Sequence, residues 1–391
     1  MRSVLRVGFD GRDLLRKRTG VVNNAVNLAR QLGARHGPEF IVYADTYRDE
    51  RAPDDMHITR LKAPPVVWKH VALPLALARD RVSVFHSPTG TLPLLAPCRQ
   101  VVTIHDLFAS IEPRWFAPGM AKQLQTMQRM ATRKAHQVIA VSERTKADLV
   151  ERYGVRPERV TVVYNGVDHA RFRPPDSSTP PMRRRGPTAG EDEAGSEDAG
   201  TRNAGAEGFD AEKVAARFGV SYPFVLCVGS LLPWRNAPRL LRAVARLDRF
   251  GLLFVGRDIW GTDPTARLAT EQRWAWARFA GYVADDELPS VYAAASVFAY
   301  PSLYEGFGIP PLEAMACGTP VVASTAGALP EVLGDAALLV DPYDELALAE
   351  AIQAAADDRG ELRRRGLQRA RRFTWDTTAE ATWRVYEESA R

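Results

Sequence analysis

Short runs of apolar and β-branched residues, with no polar alternation inside them, recur along this chain with helical stretches between. In the first half they lie at 4–9, 40–43, 82–85, 101–104, 138–141 and 160–163, with helical patterns at 21–32 and 142–153. In the second half they lie at 224–228, 252–255, 297–300, 320–323 and 337–340, with helical patterns at 237–247, 287–295, 312–316 and 345–356. A strand without alternation is covered on both faces, and strands that alternate with helices build parallel sheets. At 391 residues the chain exceeds one ordinary core. The expectation is α/β: two doubly wound, Rossmann-like domains facing across a cleft.

The break between the halves is visible in composition. Between Phe172 and Phe209 there is no Val, Ile, Leu, Phe, Trp or Tyr, and Met182 is the one sizeable apolar side chain. The stretch carries a basic run, Arg183, Arg184 and Arg185, and an acidic run, Glu191, Asp192 and Glu193. Such a segment buries too little apolar surface to offset its ordering entropy. The reading is a first domain over 1–173, a flexible linker or insertion over 174–210 and a second domain over 211–374. A C-terminal helix in 375–391, with Trp375, Trp383 and Tyr386 on one side, packs back toward the first domain.

Against 47 acidic residues the 52 basic ones leave a net charge of +5, which mildly favours anionic ligands. No basic-aromatic reader motif accompanies it, so nucleic acid is not an expected partner. Cys98, Cys227 and Cys317 stand far apart among apolar neighbours and read as buried thiols. No apolar run reaches membrane-spanning length, and residues 1–10 lack a secretory pattern. A cytoplasmic protein is expected.

Ligands of open parallel sheets bind beyond the carboxyl ends of the strands. The stretch after 297–300 is the richest: Glu305, Gly306, Phe307, Gly308, Ile309, Pro310, Pro311, Leu312 and Glu313. Gly306 and Gly308 let backbone approach a ligand closely. Pro310 and Pro311 suit a first helical turn, whose dipole and unpaired N–H groups favour a diphosphate. Glu305 and Glu313 suit acceptance of hydroxyl hydrogens from a sugar and a ribose. Arg235, on the loop after 224–228, is placed to offset phosphate charge. Taken singly, the Gly-Phe-Gly turn or the glutamate pair is ordinary. Together, and with an independent cation loop, they describe a site.

The stretch 305–324 resembles the E-x7-E signature of retaining glycosyltransferases of family 4, which have the GT-B fold. Segments 7–20, 103–106, 138–142, 163–168, 228–236, 281–283 and 338–343 are similar to the same family. The likeness is to bacterial mannosyl- and glucosyl-type transferases and spans nearly the whole chain outside the linker. It implies a nucleotide-diphosphate sugar donor held mainly by the second domain, with the first domain on the acceptor side. It implies Glu305 on sugar hydroxyls, backbone of Phe307, Gly308 and Ile309 on sugar and phosphate, Glu313 on the ribose, and Val283 at the base. Gly20 and Ser230 lie in loops implied to approach the diphosphate, and His105 lies near the reacting face of the sugar. Read by itself, His105 is a half-buried histidine bonded to a backbone carbonyl. The chain departs from the pattern where Arg235 stands for the usual Lys and Trp234 for the usual Arg. Its first glycine loop also has Val21 and Val22 after Gly20.

The resemblance implies retention at the anomeric carbon. No nucleophilic carboxylate presents itself, so front-face attack is expected, with the leaving diphosphate taking the acceptor proton and Arg235 balancing its charge. No Asp-x-Asp pair follows a suitable strand, so no metal and no cofactor are expected. The acceptor is a hydroxyl of a small molecule, saccharide or lipid-linked compound. The alternatives are a nucleotide-sugar-binding protein with little catalysis, and a phosphorylase or disaccharide synthase with the same donor site. Peripheral contact with the inner membrane surface rests on the apolar segment 66–77 and the methionines of 118–133, Met120, Met127 and Met130. Both read first as core-facing helices. The basic loop Arg12, Arg16, Lys17 and Arg18 reads equally as solvated or as an attractor of an anionic acceptor. The oligomeric state is left open.

Overall fold

The apolar runs become parallel strands in the computed structural model, which describes residues 5–15, 20–45, 56–175, 209–258, 261 and 263–391. Val4, Arg16, Lys17, Arg18, Thr19 and residues 176–208 of the expected linker lie outside the described residues.

The first sheet holds β1 (Val7–Asp10), β2 (Phe40–Ala44), β3 (Ile58–Arg60), β4 (Val84–Ser87), β5 (Arg99–Ile104), β6 (Gln137–Ala140) and β7 (Val160–Val162). Its order is β3-β2-β1-β4-β5-β6-β7, with the pairs parallel. The second sheet holds β8 (Phe224–Val228), β9 (Gly251–Val255), β10 (Ala277–Gly281), β11 (Val297–Tyr300), β12 (Val321–Ser324) and β13 (Leu338–Val340), in the order β10-β9-β8-β11-β12-β13. Each order reverses once, and the loops on either side of a reversal part to leave a crevice. In the second sheet the reversal falls between β8 and β11, so the loops after those two strands must flank it.

Helices that matter below are α1 (Gly20–His36), α2 (Met120–Lys134), α3 (Glu143–Tyr153), α4 (Ala237–Val244), α5 (Ile309–Ala316) and α6 (Trp375–Ala390). Two apolar layers sandwich each sheet. In the first domain one layer is built by α1 and by α6, whose Trp375, Ala379, Val385 and Tyr386 are buried beside Val7, Phe9 and Leu28. The chain therefore ends on the domain where it began. His86 on β4 fixes that return: its Nδ1 lies 2.6 Å from the Tyr386 hydroxyl and its Nε2 2.8 Å from Thr103 Oγ1. Burial drives the His86 pKa down to about 3, so the ring stays neutral in this dry setting.

Two strands carry no apolar run and were not expected, β3 and β10. Each sits at a sheet edge, with most of its residues half-exposed. An edge strand packs on fewer sides and does not need continuous apolarity. One expectation about helices is overturned, and a second holds for one side of its helix only. Met120, Met127 and Met130 of α2 face solvent, because the small residues Ala121, Ala131 and Thr132 form its buried side. Segment 66–77 buries Trp68, Leu73 and Leu77 but exposes Val66, Val67, Val71 and Leu75.

The α6 anchor yields a test. Tyr386→Ala removes a fully buried ring and its bond to His86, and should cost about 3–5 kcal/mol. Urea unfolding of the full chain measures it; a loss within error of zero contradicts the packing described.

Candidate active site

Arg235 ends the short 3-10 turn Pro233–Arg235 that leads into α4. The next residue, Asn236, takes a left-handed conformation with φ of 61°. Its side-chain amide donates to Pro301 O at 2.9 Å and Pro342 O at 2.7 Å. Leu303 N donates to Trp234 O at 2.7 Å. The loop after β8 is thereby tied to the loop after β11, across the reversal of the second sheet. That tie brings Arg235 to Glu305, with Nη1 2.5 Å from Oε1, both side chains buried. Nη1 also lies 3.2 Å from Ser302 Oγ, and the guanidinium sits 4.5 Å from the centre of the Tyr300 ring. Burial works against the Arg235 charge, but Glu305 and Tyr300 more than offset it and hold the pKa above the ordinary value. Arg235 Nε is buried with no acceptor among the described residues. Gly229 makes room for this group, since a Cβ there would lie 3.1 Å from Nε.

Beyond Glu305 the backbone crosses the first domain. A Cβ on Gly306 would lie 1.8 Å from His105 O, so only glycine fits. The carbonyl of Gly306 accepts from Ser142 Oγ at 2.7 Å and is 3.2 Å from Thr145 Oγ1. Ser142 is also the N-cap of α3. Glu331 of the second domain accepts from Glu143 N at 2.8 Å and Arg144 N at 3.1 Å, satisfying the start of the same helix with a carboxylate. Tyr304 donates to Asp148 at 2.5 Å. The helix start of the first domain is thus docked on the Glu305–Ile309 turn of the second.

Gly308 is the N-cap of α5, with φ of 99°. Four N–H groups open an ordinary helix, but Pro310 and Pro311 have none. Gly308 and Ile309 are left to offer theirs to an anion. Glu313, one turn further on, accepts from the Tyr292 hydroxyl at 2.9 Å. Burial pushes its carboxyl up to about 7, with Tyr292 and Arg171 opposing and Asp285 and Asp168 adding to the rise.

His105 follows β5, and its Nε2 lies 2.8 Å from Pro88 O. A carbonyl only accepts, so Nε2 carries the hydrogen and Nδ1 is the basic nitrogen. Burial lowers the ring pKa, and the neutral ring is favoured. Neighbouring Asp106 is pushed up to about 6, first by burial and then by the Glu305 charge, while its bond from Phe108 N opposes.

The structure gathers His105, Arg235, Glu305, Phe307, Gly308 and Ile309 around the crossing. Ser230 follows Gly229 on the Arg235 loop. Val283 is buried beyond β10 in the same apolar layer as Phe307 and Leu312. Gly20 opens α1, exposed, with no atom near its Cβ direction. Trp234 is buried and stacks on Phe108 of the first domain, with ring centroids 4.5 Å apart, and near Trp115 and Phe116. Tyr300, Ser302, Tyr292, Asp106 and Gly327 were not singled out. Gly327, with φ of 62°, is the least legible, for a Cβ there would meet the Glu305 backbone at 2.3 Å. Tyr300 had a signal, as the last residue of the strand before the motif, and so did Asp106, beside His105 in the segment 103–106.

Two family models match. "Glycosyltransferase Family 4" covers residues 18–171 and "Glycosyl transferases group 1" covers 209–373. The O-antigen chain mannosyltransferase B of Escherichia coli is 42% identical over 173 residues, covering 42% of this chain and 45% of that protein. The MMP alpha-(1->4)-mannosyltransferase of Mycolicibacterium hassiacum is 30% identical over 311 residues, covering 76% and 66%. The matched stretch thus spans between 45% and 66% of the length of these two relatives. Among solved structures, the sucrose-phosphate synthase of Thermosynechococcus elongatus superposes with a TM-score of 0.71 at 22% identity, covering 98% of each chain. HepE of Anabaena in complex with UDP-glucose superposes with a TM-score of 0.70 at 20% identity, covering 98% of this chain and 100% of that one. At these identities the structures establish the fold, two Rossmann-like domains in the GT-B arrangement.

The Glu313 environment predicts a pH dependence. Its folded pKa, about 7, lies above the ordinary glutamate value, so the protein gains stability from the protonated form at low pH and loses it as pH rises through about 7. Glu313→Gln removes that loss. Its urea midpoint relative to the native chain should climb between about pH 5 and pH 8. A difference that stays flat over this range contradicts the assignment.

Proposed function

The chain belongs to the glycosyltransferase family whose domains are described as family 4 and group 1, and on that premise we propose that it moves a hexose from a nucleotide-diphosphate sugar to a hydroxyl acceptor, with retention at the anomeric carbon. The observation that carries this reading is the buried Arg235–Glu305 pair at the sheet reversal, with an unused Arg235 Nε donor and the start of α5 beside it. The relatives named as mannosyltransferases, and a neighbour solved with UDP-glucose, support a nucleotide-activated hexose as donor.

In this reading Arg235 Nε and the N–H groups of Gly308 and Ile309 hold the diphosphate. Glu305 accepts sugar hydroxyl hydrogens while keeping Arg235 oriented. Glu313, with Tyr292 on one oxygen, accepts from the ribose. As the bond from the anomeric carbon to the diphosphate oxygen breaks, charge grows on that oxygen, and Arg235 stabilises it. The acceptor oxygen bonds to the same face of the carbon, and its proton passes to the departing diphosphate. His105 and Asp106 border that face from the first domain. Charge is balanced by arginine and helix start, and no metal ion is assigned a step.

A second reading, binding of nucleotide sugar with little turnover, is favoured by one observation: Trp234 is committed to the stack on Phe108 where the family pattern usually has a second cation. Measuring transfer alongside binding separates the two.

The deciding experiment is a thermal-shift panel of UDP, GDP, dTDP and ADP with their sugars. A ligand that binds only the folded chain raises its melting temperature by mass action; no shift with any of them removes the donor site. Arg235→Ala should lower turnover at saturating donor on the order of 100- to 1000-fold, and an unchanged rate rejects its role. Turnover should be the same with and without a chelator, and a chelator-sensitive rate rejects the metal-free scheme.

A further inference from the structure

One face of the first sheet is covered by the helical run 65–79, by the connection 88–98 and by α2. Their inner sides bury Trp68, Leu73, Leu77, Leu92 and Ala131. Their outer side is also apolar. Val67, Val71 and Leu75 recur at four-residue spacing along the exposed stripe of the run, beside Val66, which is 73% exposed. The connection adds Leu94 and Leu95, the latter 77% exposed. The two pieces adjoin, since Leu94 N donates to His70 Nδ1 at 3.1 Å. Lys134, at the end of α2, donates to Pro93 O at 2.6 Å, so the exposed methionine stripe of α2 flanks the same surface. A surface helix ordinarily carries charge on its outer side, and isolated exposed leucines are common. A continuous cluster of this kind marks a contact surface.

The charge around the cluster narrows the partner. Residues 61–79, 88–99 and 113–134 contain no Asp or Glu, although the composition of the chain would put about six in that length. They contain Lys62, Lys69, Lys122, Arg129, Arg133 and Lys134. Apolar side chains among basic ones, with the bordering Asp80 and Glu112 paired to Arg79 and Arg114, complement a bilayer surface that carries anionic headgroups. Among the described residues no helix is long and apolar enough to cross a membrane, so the contact is one of lying on the surface. The connection starts at the cleft, because its first residue, Pro88, is bonded to His105.

We propose that this face docks the chain on an anionic phospholipid bilayer, holding the reaction cleft at the membrane surface for a lipid-linked hydroxyl acceptor. The acceptor part rests on the transferase reading above; the docking part does not. The test is co-sedimentation of the full chain with vesicles of phosphatidylcholine alone and of phosphatidylcholine with phosphatidylglycerol. The native chain should bind the anionic vesicles, less so at high salt. Val71→Ser with Leu75→Ser, and separately Leu94→Ser with Leu95→Ser, should weaken that binding on the order of tenfold. A third variant, Lys122→Glu with Arg133→Glu, should do so without touching the apolar cluster, which guards against misfolding as the cause. Failure of the native chain to sediment, or variants that sediment as it does, overturns the proposal. So does a native dimer that the serine variants turn into monomer, since a second copy would then cover the face. Nucleotide thermal shifts in the same variants should match the native chain. Their absence even in the native chain removes the transferase reading and leaves the docking face to stand or fall on sedimentation.

Discussion

The buried ion pair between Arg235 and Glu305 is the interaction on which the site rests. Two charges taken out of water cost several kcal/mol each, and their attraction repays this only where geometry is good and the remaining polar atoms find partners. Here Ser302 and the Tyr300 ring contact the guanidinium, and Gly229 leaves space for it. Asn236 clamps the loop to Pro301 and Pro342. These residues come from the ends of three strands that meet only because the sheet order reverses between β8 and β11. Arg235 Nε, a buried donor with no acceptor among the described residues, is what an incoming anion would satisfy.

The second constraint is steric. Gly306 passes so close to His105 O that the two domains must share this point of contact. Around it Ser142, Thr145, Tyr304 and Glu331 satisfy polar groups across the divide. The aromatic stack of Trp234 on Phe108 closes the same boundary with apolar surface. The departure of Trp234 from the family pattern thus exchanges a cation for a packing contact between domains, leaving Arg235 as the cation of that loop.

Much of the fold was legible because fully buried strands need continuous apolar runs: eleven of the strands were read from them, within a few residues. The edge strands β3 and β10 were not, since an edge residue faces solvent and tolerates polarity. The outward stripes of α2 and of 65–79 were misread for a related reason. Periodicity identifies an apolar side but not whether a core lies against it. In α2 the core is served by Ala121 and Ala131, small residues that leave little trace in a hydrophobic pattern.

At the site, Arg235, Glu305, Gly308 and Glu313 were named from the local chemistry of loops after strands, since glycine, proline and charge there have few other uses. What the amino-acid order settled by itself was therefore the parallel α/β architecture and which loops carry polar function. That Arg235 would be neutralised by Glu305, that Gly306 would press on His105, and that Tyr292 would share a proton's reach with Glu313 were decided only by tertiary structure. Each joins residues from different loops or domains, and their separation in space depends on sheet order and domain packing, which no local pattern encodes.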